Sequence, residues 1–262
     1  MKVVVCIKQT PSTTAVFTVD NGQVSWEDPG GKPLVLNPWD EYAVEVALLQ
    51  AEEHGGDVTV VSLGKEDATE ALKHALAMGC QEAILVSDPA FAGADSQAVA
   101  RALAAAIQKV GDVDLVLFGR QAIDGDMGVT AAQTARVLGW PLLSLVSVLS
   151  AMDPDAGTFQ VERSTEEGRQ VVDGKLPAVV SVMKDIGEPR YPSFMGIRKA
   201  SRANIPVWTL ADLGIEAPVS SVRWPDVMNP PVQEITTEMI EGGSPQEIAD
   251  QLANKILAEK VL

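Results

Sequence analysis

The sequence predicts an α/β fold: a parallel sheet flanked by helices, followed by an extended C-terminal arm that ends in a helix. Three observations predict it. Short β-branched runs alternate with longer helical patterns over the first two-thirds of the chain, the helical patterns stop at glycines, and the last third is broken by prolines. Continuous apolar strands separated by helices require a sheet covered on both faces. The chain has 262 residues, 46% of them hydrophobic and 21% charged, so it can bury a sizeable core.

Residues 2–7 read as the first buried strand, 57–62 (DVTVVS) as the second, 82–86 as the third and 112–118 (DVDLVLF) as the fourth. Between them, residues 41–54, 67–78 and 96–110 carry Ala, Leu and Glu at helical spacing. They end at Gly55, Gly79 and Gly111, the residue type that most easily turns the chain out of a helix. Residues 133–138 complete another helix, stopped by Gly139 and Pro141, and 142–149 are strand-like. Residues 158–164 and 169–172 flank a Glu-Glu-Gly turn and read as a hairpin feeding the apolar strand 178–182. From Gly187 the chain is punctuated by Pro189, Pro192, Pro206, Pro218, Pro225, Pro230 and Pro231. Proline interrupts both helices and ladders, so the reading is a main domain over 1–186 and an arm over 187–262. The arm closes in a helix over 244–259, with Ser244 as N-cap, Pro245 first and Glu247 as the capping-box acid. Ile248, Leu252, Ile256 and Leu257 form its apolar stripe. Such an arm needs a surface to lie against, and a partner chain can supply one.

Acidic residues number 36 and basic residues 20, a net charge of −16. That balance repels phosphate backbones and excludes a nucleic-acid binder. Cys6 and Cys80 are too few for a disulfide framework, and with only His54 and His74 beside them no metal site is expected. The apolar run 3–7 ends at Lys8, too early for a secretory core. No stretch approaches the ~20 apolar residues that span a bilayer. A cytoplasmic protein with reduced thiols is expected.

In an open parallel sheet, ligands bind beyond the carboxyl ends of the strands. Three segments converge there: Cys6-Ile7-Lys8, Leu63-Gly64, and Gly119-Arg120-Gln121-Ala122-Ile123-Asp124-Gly125-Asp126-Met127-Gly128-Val129-Thr130. The third leaves a buried strand, turns through Asp-Gly-Asp and enters a helix whose first turn has free N–H groups. Gly128 and Thr130 are small enough to admit a phosphate there. The same stretch also reads as a capped loop, with Asp124 or Asp126 as N-cap and nothing bound. Asn37-Pro38-Trp39-Asp40 is either a second binding segment or an ordinary helix start. GxGxxG, Walker A, HExxH, CxxC and GxSxG are all absent. Lys8, Cys6 and Cys80 have no neighbouring motif that activates a nucleophile, and His54 and His74 read as solvated or packing residues. No catalytic residue emerges, so a holder of nucleotide or cofactor is expected rather than an enzyme.

The loop 119–126 (GRQAIDGD) strongly resembles the nucleotide-binding loop of the electron transfer flavoprotein beta subunit. Residues 6–11 (CIKQTP), 36–44 (LNPWDEYAV), 69–79, 161–180 (VERSTEEGRQVVDGKLPAVV) and 188–200 (EPRYPSFMGIRKA) are similar to further family motifs in the same order. Ser181 departs from the family's usual Thr, Ala or Cys. The resemblance implies an adenine-nucleotide α-hydrolase-like domain in a heterodimer. There the alpha subunit holds most of the FAD site, and the arm of the beta subunit wraps it. It also implies an electron carrier, running from flavin dehydrogenases such as the acyl-CoA dehydrogenases of fatty acid oxidation to a quinone-linked or other acceptor. The beta subunit of ordinary members holds AMP in a structural role. In electron-bifurcating members, which oxidise NADH, a second FAD takes its place. A freestanding nucleotide-binding regulator of the same fold is the remaining alternative.

Carried over by motif, the nucleotide contacts fall on Cys6, on Asn37, Pro38, Trp39 and Asp40, on Leu63, and on every residue from Gly119 to Thr130. AMP-binding members often have Asn-Gln-Thr where this chain has Gly128-Val129-Thr130, which shifts weight onto backbone N–H groups. The Asp-Gly-Asp form is closer to the bifurcating branch. Partner recognition falls on Phe194, Met195, Ile197, Arg198 and Lys199, with Phe194 where a leucine is usual. Without the resemblance, Phe194, Met195 and Ile197 read as residues packed on their own domain.

Overall fold

The computed structural model describes residues 1–217, 219–222, 226–232, 234 and 236–259, so Pro218 and Pro225 lie outside the described residues. The chain forms two compact units, Met1–Val227 and Met228–Leu262.

In the first unit β1 (Lys2–Ile7) runs into β2 (Gln9–Pro11), a hairpin of β3 (Val16–Asp20) and β4 (Gln23–Glu27), and β5 (Leu34–Leu36). Then come α1 (Pro38–His54), β6 (Asp57–Leu63), α2 (Thr69–Met78), β7 (Glu82–Val86), α3 (Ser96–Val110), β8 (Leu115–Gly119) and α4 (Thr130–Leu138). β9 (Leu142–Asp153), β10 (Thr158–Thr165), β11 (Gly168–Lys175) and β12 (Ala178–Val182) follow. The unit ends in α5 (Phe194–Ala200), β13 (Val207–Trp208) and α6 (Leu210–Leu213). The second unit contains α7 (Pro245–Ala258).

One nine-stranded sheet has the order β11-β10-β9-β12-β8-β1-β6-β7-β13. Every pair from β9 to β13 is parallel, and β10 and β11 extend the sheet antiparallel. The β-strand repeat places Val3, Val5 and Ile7 on one face and Val4 and Cys6 on the other. The first face packs with residues of α1 and α2, and the second with residues of α3 and α4. Both sides of β1 are therefore dry, which is why it reads as an unbroken apolar run.

After β7 the chain crosses back to lay β8 on the far side of β1. The strand order thus reverses between β1 and β8. A crevice opens beyond the carboxyl ends of strands at such a point.

Several elements differ from the sequence reading. The fourth strand begins at Leu115 rather than 112, because Asp112 takes a left-handed φ of 51°. The Asp114 carboxylate beside it accepts the Lys2 N–H at 2.7 Å. Residues 9–36 hold four short strands that the sequence reading passed over. In 187–227 the chain stays with the first unit instead of leaving it as an arm. Arg190 binds Glu45 and Glu52 of α1, with Nε to Glu45 at 2.8 Å and Nη1 to Glu52 at 2.5 Å. Gly196 lets α5 approach the Ala77 carbonyl of α2, where a Cβ has no room. β13 then extends the sheet beside β7. In the second unit the Ser244 hydroxyl accepts the Glu247 N–H, and the Glu247 carboxylate accepts the Ser244 N–H at 2.8 Å. Leu252 and Leu257 on that helix are exposed.

Candidate functional site

The crevice between the ends of β1 and β8 is a cleft of about 370 Å³. Its floor is apolar and comes from Cys6 of β1, Phe118 of β8, Leu103 and Val99 of α3, Ala131 of α4, and Phe91. Its rim is polar: Lys8, Asn37, Asp40, Asp124, Asp126, Ser96 and Thr130. An apolar floor under a polar rim accommodates a flat ring with a hydrogen-bonding, charged tail.

The floor is chemically inert. Cys6 pairs with Val61 on one side and Phe118 on the other. Burial, with the Asp40 charge adding to it, pushes its thiol far up, so it is not a thiolate nucleophile. Cys80 is buried outside the cleft, and burial pushes its thiol up to about 12.

The rim is organised by the start of α1. Asn37 is the N-cap residue of α1, yet its side chain caps nothing. It reaches across to the loop after β8 instead. Its Nδ2 donates to the Gln121 carbonyl at 2.9 Å, and its Oδ1 accepts the Ile123 N–H at 3.3 Å. Asp40, one turn on, is buried. Its Oδ2 accepts the Lys8 N–H at 2.8 Å, and its Oδ1 accepts the Gly119 N–H at 3.2 Å. Burial pushes its carboxyl up to about 7, against the pull of those N–H groups, Asn37 and the Lys8 ammonium.

Neither aspartate of the turn caps a helix. Asp124 takes the Lys8 ammonium at 2.6 Å, and Asp126, at a left-handed φ of 48°, takes the Gln121 amide at 2.7 Å. α4 therefore begins at Thr130 behind Val129 with no side-chain cap. α3, by contrast, is capped by Asp95, whose Oδ1 accepts the Ala98 N–H at 2.9 Å. The first-turn N–H groups of α4 are left free at the cleft, a ready seat for an anion.

The chain matches the model of the electron transfer flavoprotein domain over residues 27–213. It belongs to the electron transfer flavoprotein family. A subunit of the caffeyl-CoA reductase-Etf complex, CarD of Acetobacterium woodii, is 36% identical over 269 residues, covering 100% of both chains. The electron transfer flavoprotein subunit beta of Clostridium acetobutylicum is 38% identical, covering 82% of this chain and 81% of its own. The protein FixA of Azorhizobium caulinodans is 36% identical, covering 82% of this chain and 78% of its own. Within the electron transfer flavoprotein family, the chain groups with the beta subunits and FixA.

Of the residues assigned by motif, Cys6, Asn37, Asp40, Leu63, Arg120, Asp124, Gly128 and Thr130 line the cleft. So do Gly119, Gln121, Ala122, Gly125, Asp126 and Met127. Pro38, Trp39, Ile123 and Val129 are not among the lining residues. Trp39 instead carries the Arg120 guanidinium over its ring at 5.7 Å. Sequence reasoning missed the wall formed by Phe91, Gly93, Ala94 and Ser96. The signal was available, because residues 87–95 also follow the carboxyl end of a parallel strand.

Phe194, Met195 and Ile197 stand on α5 with 81%, 69% and 53% of their surface exposed. They do not pack on their own domain. His54 and His74 lie away from the cleft, and the latter faces Glu41 at 3.4 Å. Among the described residues no helix is long and apolar enough to cross a membrane.

Proposed function

We propose that this chain is the beta-type subunit of a two-chain electron carrier, and that its cleft seats an adenylate group. The partner subunit holds most of the site for the electron-carrying FAD. The observation that carries the reading is the uncapped start of α4 at a strand-order reversal, beside an apolar floor. The backbone N–H groups of that first turn would hold a phosphate. The floor around Phe118 and Leu103 would hold the adenine ring. That division fits the loss of side-chain amides at Gly128 and Val129, because the backbone alone supplies the donors.

The bound flavin supplies the electron chemistry. The residues of this chain bind, orient and shield. In this reading AMP is a structural ligand, and the chain is a carrier subunit rather than a catalyst. Flavin dehydrogenases deliver electrons, and a quinone-linked or similar acceptor removes them. The naming of a relative as part of a complex with caffeyl-CoA reductase supports association with enzymes acting on CoA esters. The exposed Phe194, Met195 and Ile197, beside Arg198 and Lys199, are the surface proposed to meet such a partner.

The test is to purify the chain with its partner subunit and count the released nucleotides. One FAD and one AMP per pair is the expected result. Two FAD and no AMP moves the reading to the bifurcating type. A colourless protein without adenylate overturns it.

A further inference from the structure

We infer that Asn37 and Asp40 are positioning residues that hold the loop over 119–126 in its ligand-ready shape before any nucleotide arrives, rather than contacting the nucleotide through their side chains. The inference rests on the adenylate reading of the cleft for its ligand and on hydrogen-bond geometry for its substance.

The side-chain amide of Asn37 is 1% exposed with the rest of the residue, and both its oxygen and its nitrogen are engaged by the loop. Such a two-point grip fixes one peptide face of residues 121–123. Asp40 performs the matching task at the strand ends. Its two oxygens bind the N–H of Lys8, just beyond β1, and of Gly119, the last residue of β8. One carboxylate thus sets the spacing of the two chains that frame the cleft. A third tie, Lys8 to Asp124, closes the loop from outside. It is exposed and screened by salt, so it contributes least.

An ordinary helix start explains none of this. α1 has Pro38 in its first turn, which removes one N–H that a cap would satisfy. The side chain of Asn37 is spent on a loop 84 residues away. Asp40, too, makes poor sense as a stabilising group. A buried carboxylate held near neutrality costs the fold stability, and what it gains is two N–H groups fixed at a binding site. The titratable groups facing it are the Cys6 thiol on β1 and the Lys8 ammonium beyond β1. Asn37 of α1 and Gly119 of β8 face it with neutral groups.

The test uses the full chain with its partner subunit, stripped of nucleotide, as wild type, Asp40→Asn and Asn37→Asp. Both variants keep the side-chain size. Asp40→Asn retains one acceptor, and Asn37→Asp sets a carboxylate against the Gln121 carbonyl. Hydrogen exchange of the Lys8, Gly119 and Ile123 amides is followed without ligand, and AMP affinity is measured by calorimetry. Exchange at least tenfold faster at these amides, with AMP bound about tenfold more weakly and the melting temperature of Asp40→Asn unchanged or raised, is the expected result. Wild-type AMP affinity should also fall from about pH 8 to about pH 6 more steeply than that of Asp40→Asn, whose remaining slope is that of the AMP phosphate. Unchanged exchange at Gly119 and Ile123 overturns the inference, as does equal AMP affinity in all three proteins. If the wild type binds no AMP, the adenylate reading fails, and the exchange rates still decide whether these residues hold the loop.

Discussion

Gly119 illustrates how a single hydrogen sets the spacing of the site. A Cβ there would lie 2.5 Å from Asp40 Oδ1 and 2.6 Å from the Trp39 carbonyl carbon and oxygen. Gly119→Ala should therefore push α1 off the end of β8, with a loss of about 1–3 kcal/mol visible as a lower urea midpoint. Asp40 gives a second expectation. Its carboxyl ionises near pH 7 in the folded chain and near pH ~4 when unfolded. Between those values the folded state binds the extra proton, so this group's contribution to stability declines as pH rises and is flat above about 7. Denaturation curves of wild type and Asp40→Asn should lie close together near pH ~4 and separate as pH rises to about 7, the wild type losing stability relative to the variant; parallel curves would exclude the assignment. At this scale much of the site was legible. The Asp-Gly-Asp turn and the Asn-Pro-Trp-Asp stretch both announce themselves, and most of their residues do line the cleft. What Asn37 does was not legible, because its partners lie more than 80 positions away. A sequence shows a cap motif and cannot show that the side chain turns elsewhere.

Among the elements, α5 and its leading segment keep the chain beyond Gly187 on the first unit. Arg190 grips two acids two turns apart on α1 and holds residues 187–193 against it. Arg190→Met leaves the buried Glu45 without its cation. A cost of about 2 kcal/mol is expected, below that of a fully buried pair because a third of the Arg190 side chain is exposed. Proteolysis in the 187–193 segment should accelerate in parallel. α5 itself carries the exposed Phe194, whose truncation removes apolar surface that this chain leaves uncovered. Phe194→Ala should slow electron transfer from dehydrogenases and leave stability and the flavin spectrum unchanged; an unaltered rate would take Phe194 out of the interface. The long elements were readable because unbroken apolar runs alternate with Ala-, Leu- and Glu-rich stretches that stop at glycines. Three of the prolines misled: Pro189, Pro192 and Pro206, read as part of an extended arm, lie in the first unit, where the grip of Arg190 and the α2 contact hold the chain. β3 and β4 were missed for another reason. Their apolar positions alternate over only five residues each and cover no core.

For the whole molecule, the cleft depends on groups brought together from five separate stretches of chain, so a ligand bound there ties the first unit across its middle. Adenylate at about a hundred times its dissociation constant should stabilise the folded state by ~2.7 kcal/mol, a melting-point rise of about 5–10 °C for a unit of this size. Equal melting points with and without AMP would count against occupancy of the cleft.

The position of β12 has a consequence for biosynthesis. This strand, the last of the central group, inserts between β8 and β9, so β8 has a neighbour on that side only after residues 178–182 have been made. Until then a nascent chain presents the open edge of an apolar strand, Leu115–Gly119, next to the unfinished cleft. A ribosome-bound intermediate halted before Ala178 should therefore recruit chaperones or aggregate, whereas one released after Val182 and clear of the exit tunnel should not.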